Sequence, residues 1–368
     1  MSLKERVRGT VWPRRGVVGQ LGYVALRPLS GVFGLGVALR GLGYRTGVLR
    51  TRRAPIPVVS IGNLVVGGTG KTPLTLWLAR SLVARGVRAA IVSRGYGGSA
   101  QGVTIVSRGE GPTVGPEVVG DEPVMLAKSF AGPVICAARR LDGAQAAATL
   151  GCDAIVLDDG FQHRALARAF DLVVVDGRRG PLLPAGPMRE PFAALRRADA
   201  VVLIEREDGE LPAPDVPPDL PTYRMGFEAV ALVESRERRW HERPAGHLAS
   251  RRVIAVSGVE RPDRFYALLR RWEAVIAEVF EYPDHHRYTP EDWQQIARCG
   301  HNAHFIVTTE KDLVKLEAFP FATGKLVALR IAPRVERAEE LVDAILAKTG
   351  LAAKAAQAGR AADPDRNV

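Results

Sequence analysis

The sequence predicts an α/β fold built on an open, mostly parallel sheet with helices on both faces. Three observations carry that prediction. From Ile56 onward, short β-branched runs alternate with helical stretches. The strand candidates are continuous apolar runs, as expected of strands covered on both faces. One of them, Pro57–Ile61, runs directly into a glycine-rich turn that opens a helix.

The elements follow in order. Strands are expected at Pro57–Ile61, Ala89–Ser93, Val134–Cys136, Ala154–Leu157, Leu172–Val175 and Val201–Ile204, with helices at Leu74–Arg85 and Leu141–Leu150 between them. Together, residues 56–233 form a nucleotide-binding core domain. Acids and prolines over Glu205–Pro221 predict an exposed loop, and the charge-dense segment 234–251 reads as a linker. A smaller C-terminal α/β domain, 252–349, is expected to hold strands at Arg252–Val256, Phe305–Thr308 and Lys325–Ile331. Its helices fall near Arg261–Arg271 and Pro290–Cys299. Residues 350–368 are Ala-, Gly- and charge-rich and are expected to be disordered.

Charge is concentrated at one end. Residues 1–55 carry eleven basic side chains and one acid, Glu5, within a chain whose formal charge is +11. The other residues are therefore nearly neutral, and a basic arm on a neutral body implies one anionic partner surface. Two apolar stretches in the arm, Gly16–Leu26 and Pro28–Leu39, are each shorter than the roughly 20 residues a spanning helix needs. Leu26, Leu29, Phe33 and Val37 recur at helical spacing, while the glycines weaken a helix assignment. Trp12, Tyr23, Tyr44 and the arginines suit a membrane-associating segment lying at an anionic membrane surface. A basic helical hairpin packed on the body of the same protein is the alternative. No nucleic acid is expected, because aromatics are not interleaved with the basic residues as stacking platforms. Three scattered cysteines exclude a disulfide framework and argue against a zinc site.

The turn after Pro57–Ile61 reads Val65-Val66-Gly67-Gly68-Thr69-Gly70-Lys71-Thr72. Gly70-Lys71-Thr72 fit the Walker A pattern, while Val65 stands where its first glycine would be. Glycines let backbone N–H groups curl around phosphate oxygens, and the following helix adds its N-terminal dipole. The fold is thus P-loop NTPase-like, with ATP or GTP as the expected ligand of the loop. Lys71 would reach the β- and γ-phosphates and Thr72 would ligate Mg²⁺. Such a loop does not by itself separate kinases from ATPases or GTPases.

Acids and histidines supply the remaining chemistry. Strand Ala154–Leu157 ends in Asp158-Asp159-Gly160-Phe161-Gln162-His163, with carboxylates at the strand end where parallel sheets bind ligands. Asp158 and Asp159 are expected to hold Mg²⁺, directly or through water. Gly120-Asp121-Glu122-Pro123 opens a helix. There the acids read equally as dipole partners and as a source of a base for a sugar hydroxyl. A rigid loop, Leu182–Pro191, carries Arg189 and Glu190. The pair His285-His286 reads on its own as structural, and Thr308–Asp312 ends a strand that could face the same cleft.

Taken together, these runs resemble the tetraacyldisaccharide 4'-kinase family of lipid A biosynthesis. The matching segments include Ser60–Asn63, Gly70–Pro73, Ser93-Arg94-Gly95-Tyr96-Gly97-Gly98, Gly120–Pro123, Asp158–His163, Leu183–Pro187, Arg189–Pro191, Asp284-His285 and Thr309–Asp312. They occur in family order over about residues 10–345. The resemblance implies ATP-dependent phosphorylation of the 4'-hydroxyl of an acylated glucosamine disaccharide 1-phosphate, at the cytoplasmic face of the bacterial inner membrane. It implies Asp121 as the base with His285 in support, and Asp158 and Asp159 as the metal-associated pair. Arg139, favoured over Arg140 by spacing, and Arg189 are then placed to contact phosphate oxygens. Glu122, Gln162, His163 and Glu190 complete the expected site. The rival readings are a soluble P-loop ATPase or small-molecule ligase and a non-enzymatic nucleotide-binding membrane adaptor.

Overall fold

A computed structural model describes residues 7–205, 216–237 and 239–362 of the chain. Lys4, Glu5 and Arg6 of the basic arm, and most of the expected loop at Glu205–Pro221, lie outside the described residues.

Among the described residues, thirteen strands form one sheet, in the order β11-β10-β12-β13-β8-β7-β6-β1-β5-β2-β4-β3, with β9 paired to β8. The first half contributes β1 (Val58–Asn63), β2 (Ala89–Ser93), β3 (Val103–Ser107), β4 (Val134–Ala137), β5 (Ala154–Asp158), β6 (Phe170–Val175) and β7 (Ala200–Ile204). The second contributes β10 (Arg252–Ser257), β11 (Val275–Glu281), β12 (Phe305–Thr309) and β13 (Leu326–Val335). Pairing is parallel apart from β3/β4, β8/β13 and β8/β9.

The continuous apolar runs have the cause expected of them. In β5, Ala154 and Val156 point into one core and Ile155 and Leu157 into the opposite one. The first face is covered by α2 (Lys71–Ala84) and α9 (Ala338–Thr349) through Leu74, Leu78, Leu82, Leu341 and Ile345. Helix α4 (Asp121–Ser129) joins them through Leu126, just after a single turn, α3 (Pro116–Val119). The second face is covered by α5 (Arg140–Thr149) through Ala144 and Ala147. In the second half, α6 (Pro262–Arg271) covers one face, and α7 (Pro290–Gly300) with α8 (Glu310–Leu316) covers the other.

Three expectations need correction. Residues 234–251 are not a linker. Most of them belong to a hairpin between β8 (Thr222–Arg236) and β9 (Arg239–Pro244), and charge density there marks a strand pair with a solvent-facing edge. The fifteen-residue β8 pairs with β7 at Thr222–Met225 and with β13 from Met225 to Val233, so it stitches the halves into one sheet. The tail is not disordered throughout: Ala352–Ala362 form α10, whose Ala355 is buried in the first core. Residues 363–368 lie outside the described set.

The arm is the third. Gly16–Arg45 form one helix, α1, of 30 residues that runs through Pro28 and its glycines. At about 1.5 Å per residue it is about 45 Å long. Its most apolar eighteen-residue window has a mean hydropathy of 1.4, and only 6% of that window is buried.

Candidate functional site

The site lies at the C-terminal ends of the parallel strands. Strands β1 and β5 are neighbours, with Ile61 in register with Asp158. The glycine-rich turn after β1 and the acids after β5 therefore emerge side by side. Gly70, at φ 73°, turns the chain into α2, which begins at Lys71. Inside the turn, Asn63 Nδ2 donates to Thr69 Oγ1 at 2.8 Å. The Leu182–Pro191 loop buttresses it from outside: Val66 N donates to Pro187 O at 2.9 Å and Arg189 N to Leu64 O at 2.7 Å. Val65 is buried against Phe161 and Met188, so this position serves as a packing residue where Walker A has glycine.

The two aspartates have different surroundings. Asp158 is buried, accepting from Thr75 Oγ1 at 3.1 Å and from Thr72 Oγ1 at 3.5 Å. Burial, then the nearby charges of Glu122 and Asp159, push its carboxyl up to about 7, against the opposing pull of Lys71 and Thr75. Asp159 stands at φ 53° and faces cations: Arg189 Nη1 at 2.9 Å and Lys71 Nζ at 3.5 Å. Burial alone would raise Asp159, but Lys71 and Arg189 outweigh it and hold it below the usual carboxylate range. Gln162 donates to Asn63 O at 2.8 Å and accepts from Arg189 at 3.4 Å, tying the acidic turn to β1.

A buried carboxyl raised in this way opposes folding as the pH climbs. The unfolded chain ionises near the ordinary aspartate value, while the folded chain holds its proton up to about 7. Stability is therefore lost as pH rises from about 4 through 7. In divalent-free buffer at pH 8, Asp158→Asn is expected to raise Tm by about 2–5 °C, a gain that shrinks toward pH 4. Parallel Tm–pH curves for variant and wild type would rule this out.

Across the cleft, Gly120 at φ 85° lets the chain turn tightly against the Tyr96 carbonyl and start α4 at Asp121. The loop after β11 carries His285 at φ 62°, and its Nδ1 lies 3.1 Å from Asp121 Oδ1. The Tyr96 ring flanks it at 5.4 Å. His285 Nε2 is 3.2 Å from Lys311 Nζ, which also meets Asp284 at 2.8 Å and Glu122 at 3.4 Å. Lys315 stands 3.6 Å from Asp121. Burial would raise the Asp121 carboxyl. The hydrogen bond to His285 and the charges on Lys311, His285 and Lys315 overcome it and hold Asp121 well below the carboxylate range. The hydrogen bond to Asp121 lifts His285 in return, against burial and Lys311. Asp121 is thus a carboxylate at neutral pH, oriented by its imidazole partner. His286 serves a different purpose, stacking on Tyr282 at 4.5 Å and bonding Asp292 at 2.9 Å.

Not every expected residue joins this group. Arg139 is exposed and paired with Asp142 at 3.6 Å, whereas its neighbour Arg140 is buried at the start of α5. Arg140 donates to the carbonyls of Ala137 and Ala138 and lies within electrostatic reach of Asp158, Asp159 and Arg94. Glu190 is buried between Arg40 of α1 at 3.2 Å and Arg197 at 2.9 Å, so it fastens the N-terminal helix to the body. His163 is pushed down to about 4 by burial and by Arg140, Arg168 and Arg94, and is neutral at pH 7. Lys315 and Thr75 were not singled out from the sequence, and Lys311 and Asn63 entered only as members of longer runs, without a role. The available signal for Lys311 was its place just past a parallel strand.

A glycine-rich strand-to-helix turn with ionisable groups gathered beside it has the parts of a phosphoryl-transfer enzyme. Comparison with known proteins gives the particular family. The model of the LpxK family, tetraacyldisaccharide-1-P 4'-kinase, matches residues 23–350. The tetraacyldisaccharide 4'-kinase of Anaeromyxobacter sp. (strain Fw109-5) is 40% identical over 97% of this chain and 100% of its own length. That of Chromobacterium violaceum is 38% identical over 88% of this chain and 93% of its own. The crystal structure of "apo" form LpxK from Aquifex aeolicus in complex with ATP superposes with a TM-score of 0.76 at 33% identity, covering 89% of this chain and 99% of that one. The chain belongs to the tetraacyldisaccharide-1-P 4'-kinase family.

Proposed function

We propose that this kinase transfers the γ-phosphoryl group of ATP to the 4'-hydroxyl of a tetraacylated glucosamine disaccharide 1-phosphate, giving the bis-phosphorylated lipid. The observation that carries this reading is the Asp121–His285 pair, whose neighbour Glu122 lies close enough to Asp158, beside the glycine-rich loop, for its charge to be felt there. An alcohol acceptor loses its proton as it attacks phosphorus, and a carboxylate that stays ionised at neutral pH can take that proton. Asp121 accepts the hydroxyl proton, and His285 fixes its orientation. Lys71 and the loop amides hold the β- and γ-phosphates, with Arg189 and Arg140 as further cationic neighbours. The Thr72 hydroxyl and the Asp158 carboxylate, hard oxygen donors side by side, fit Mg²⁺, which takes few protein ligands beside phosphate and water. The cation would neutralise phosphate charge and would restore the ionised form of Asp158.

The lipid is met at a membrane. Helix α1 turns Ser30 and Arg40 to the body: Ser30 Oγ donates to Leu182 O at 2.7 Å, and Arg40 reaches Glu190. Its other face exposes Leu21, Val24, Val32, Leu35 and Leu39. One side anchored and one side apolar suits a segment inserted from the cytoplasmic face of the inner membrane. Labelled ATP and a disaccharide 1-phosphate lipid in detergent should yield label at the 4' position. Absence of that product would sink the reading. The paired change Leu21→Asp with Leu35→Asp should lower partition onto anionic vesicles by about tenfold or more while sparing activity in detergent.

A further inference from the structure

The glycine-rich loop already has an anion against it, and that anion belongs to the chain. Glu260 lies just past β10, in the second half of the sheet. Its carboxylate accepts the Gly68 N–H. It also lies against Gly67, at φ 96°, so closely that a Cβ there would overlap its oxygens. Two guanidinium groups hold its charge in place. Arg178 Nη1 stands 3.7 Å away and also donates to Val66 O at 3.2 Å. Arg8 Nη1, from the short turn preceding α1, stands 3.8 Å away. Arg178 is itself fixed by Asp176 at 2.6 Å, so this arrangement is braced on the side of the glycine-rich loop.

Loop amides that cradle phosphate present the same N–H groups to any anion, and an N–H bonded to a carboxylate cannot bond a phosphate oxygen at the same time. We propose that Glu260 is an internal competitor for the phosphate seat: its carboxylate holds the loop until a polyphosphate displaces it. The inference rests on the reading of Gly67–Thr72 as that seat. Displacement leaves Glu260 beside Arg178 and Arg8, so its charge stays compensated after it yields the Gly68 amide. The contact also bridges the two halves of the sheet, so occupancy of the loop by phosphate and release of this tie are a single event.

The test is calorimetric titration of full-length protein in detergent with inorganic tripolyphosphate, ADP and adenosine. Glu260→Gln keeps the size and removes the charge. It should bind tripolyphosphate and ADP about tenfold more tightly than wild type, with adenosine unchanged. Glu260→Asp keeps the charge but draws it back by one methylene, and should also tighten both phosphate ligands. Unchanged or weaker phosphate binding in Glu260→Gln overturns the inference. So does equal tightening for adenosine, or tightening in Glu260→Gln but not Glu260→Asp, which would mark a long-range field and not occupancy. Wild type that binds ADP with no effect of Glu260→Gln sinks this inference alone. Failure of every protein to bind ADP or tripolyphosphate sinks the phosphate-seat reading together with it.

Discussion

Asp121→Asn is expected to lower kcat by about a hundred- to ten-thousandfold with little change in KM for ATP, because it removes a base and leaves the phosphate loop intact. The amide is isosteric and can still meet the imidazole, so the fold should survive and loss of activity should report chemistry. The partner residue gives a sharper test. Asp121 is held low first against burial, then by His285, Lys311 and Lys315. His285→Ala removes the hydrogen bond that favours the ionised carboxylate, so the Asp121 carboxyl must rise. A base works only above its own pKa, so the acid limb of kcat/KM should move to higher pH in His285→Ala. Activity lost at the acid end of the profile should be partly regained as the pH is raised. If His285 contributed only to folding, the profile would drop uniformly without shifting. A uniform drop would demote His285 to a packing residue.

Much of this site was legible in the sequence because its parts are local. A strand that runs into glycines and then Lys71-Thr72 can fold only as a strand–turn–helix, and acids ending an apolar strand must fall at the same sheet edge. What was not legible depends on contacts distant in sequence. His285 and His286 are adjacent, and nothing local says that one reaches Asp121 while the other stacks on Tyr282. Arg139 and Arg140 differ by one residue at a helix start, and the packing of α5 alone decides which is buried. The glycines of α1 argued against a helix on propensity, yet close approach needs some of them. A Cβ at Gly19 would stand 2.9 Å from the Arg14 carbonyl carbon, and one at Gly34 would stand 2.9 Å from Leu182 Cδ1. Tertiary packing overrode a propensity difference of about 1 kcal/mol per glycine. The charge of segment 234–251 likewise indicated solvent exposure but could not reveal a β-partner in β8.

Lys71→Met is expected to lower kcat/KM for ATP by at least about a hundredfold, the scale of removing one preorganised charge from a phosphoryl-transfer site. Two features of the structure make this variant informative. The Lys71 side chain is 11% exposed, and methionine keeps its apolar stem, so the site should not collapse. Asp159, which Lys71 meets at 3.5 Å, retains Arg189 at 2.9 Å, so this ionised carboxylate keeps a cation and Tm should move by only about 2 °C. Lys71→Arg should not rescue activity: the planar guanidinium is matched to Asp159, and its bulk cannot enter a turn closed by Thr69 and Gly70 as an ammonium does. The Lys71–Asp159 pair has a further consequence. For Lys71 to serve the phosphates it must turn from Asp159, which leaves that carboxylate to Arg189. Asp159→Asn should therefore free Lys71 and strengthen ATP binding while weakening the hold on Arg189. Loss of ATP binding in Asp159→Asn as severe as in Lys71→Met would mean instead that Asp159 itself serves the nucleotide, with Lys71 held in place by it.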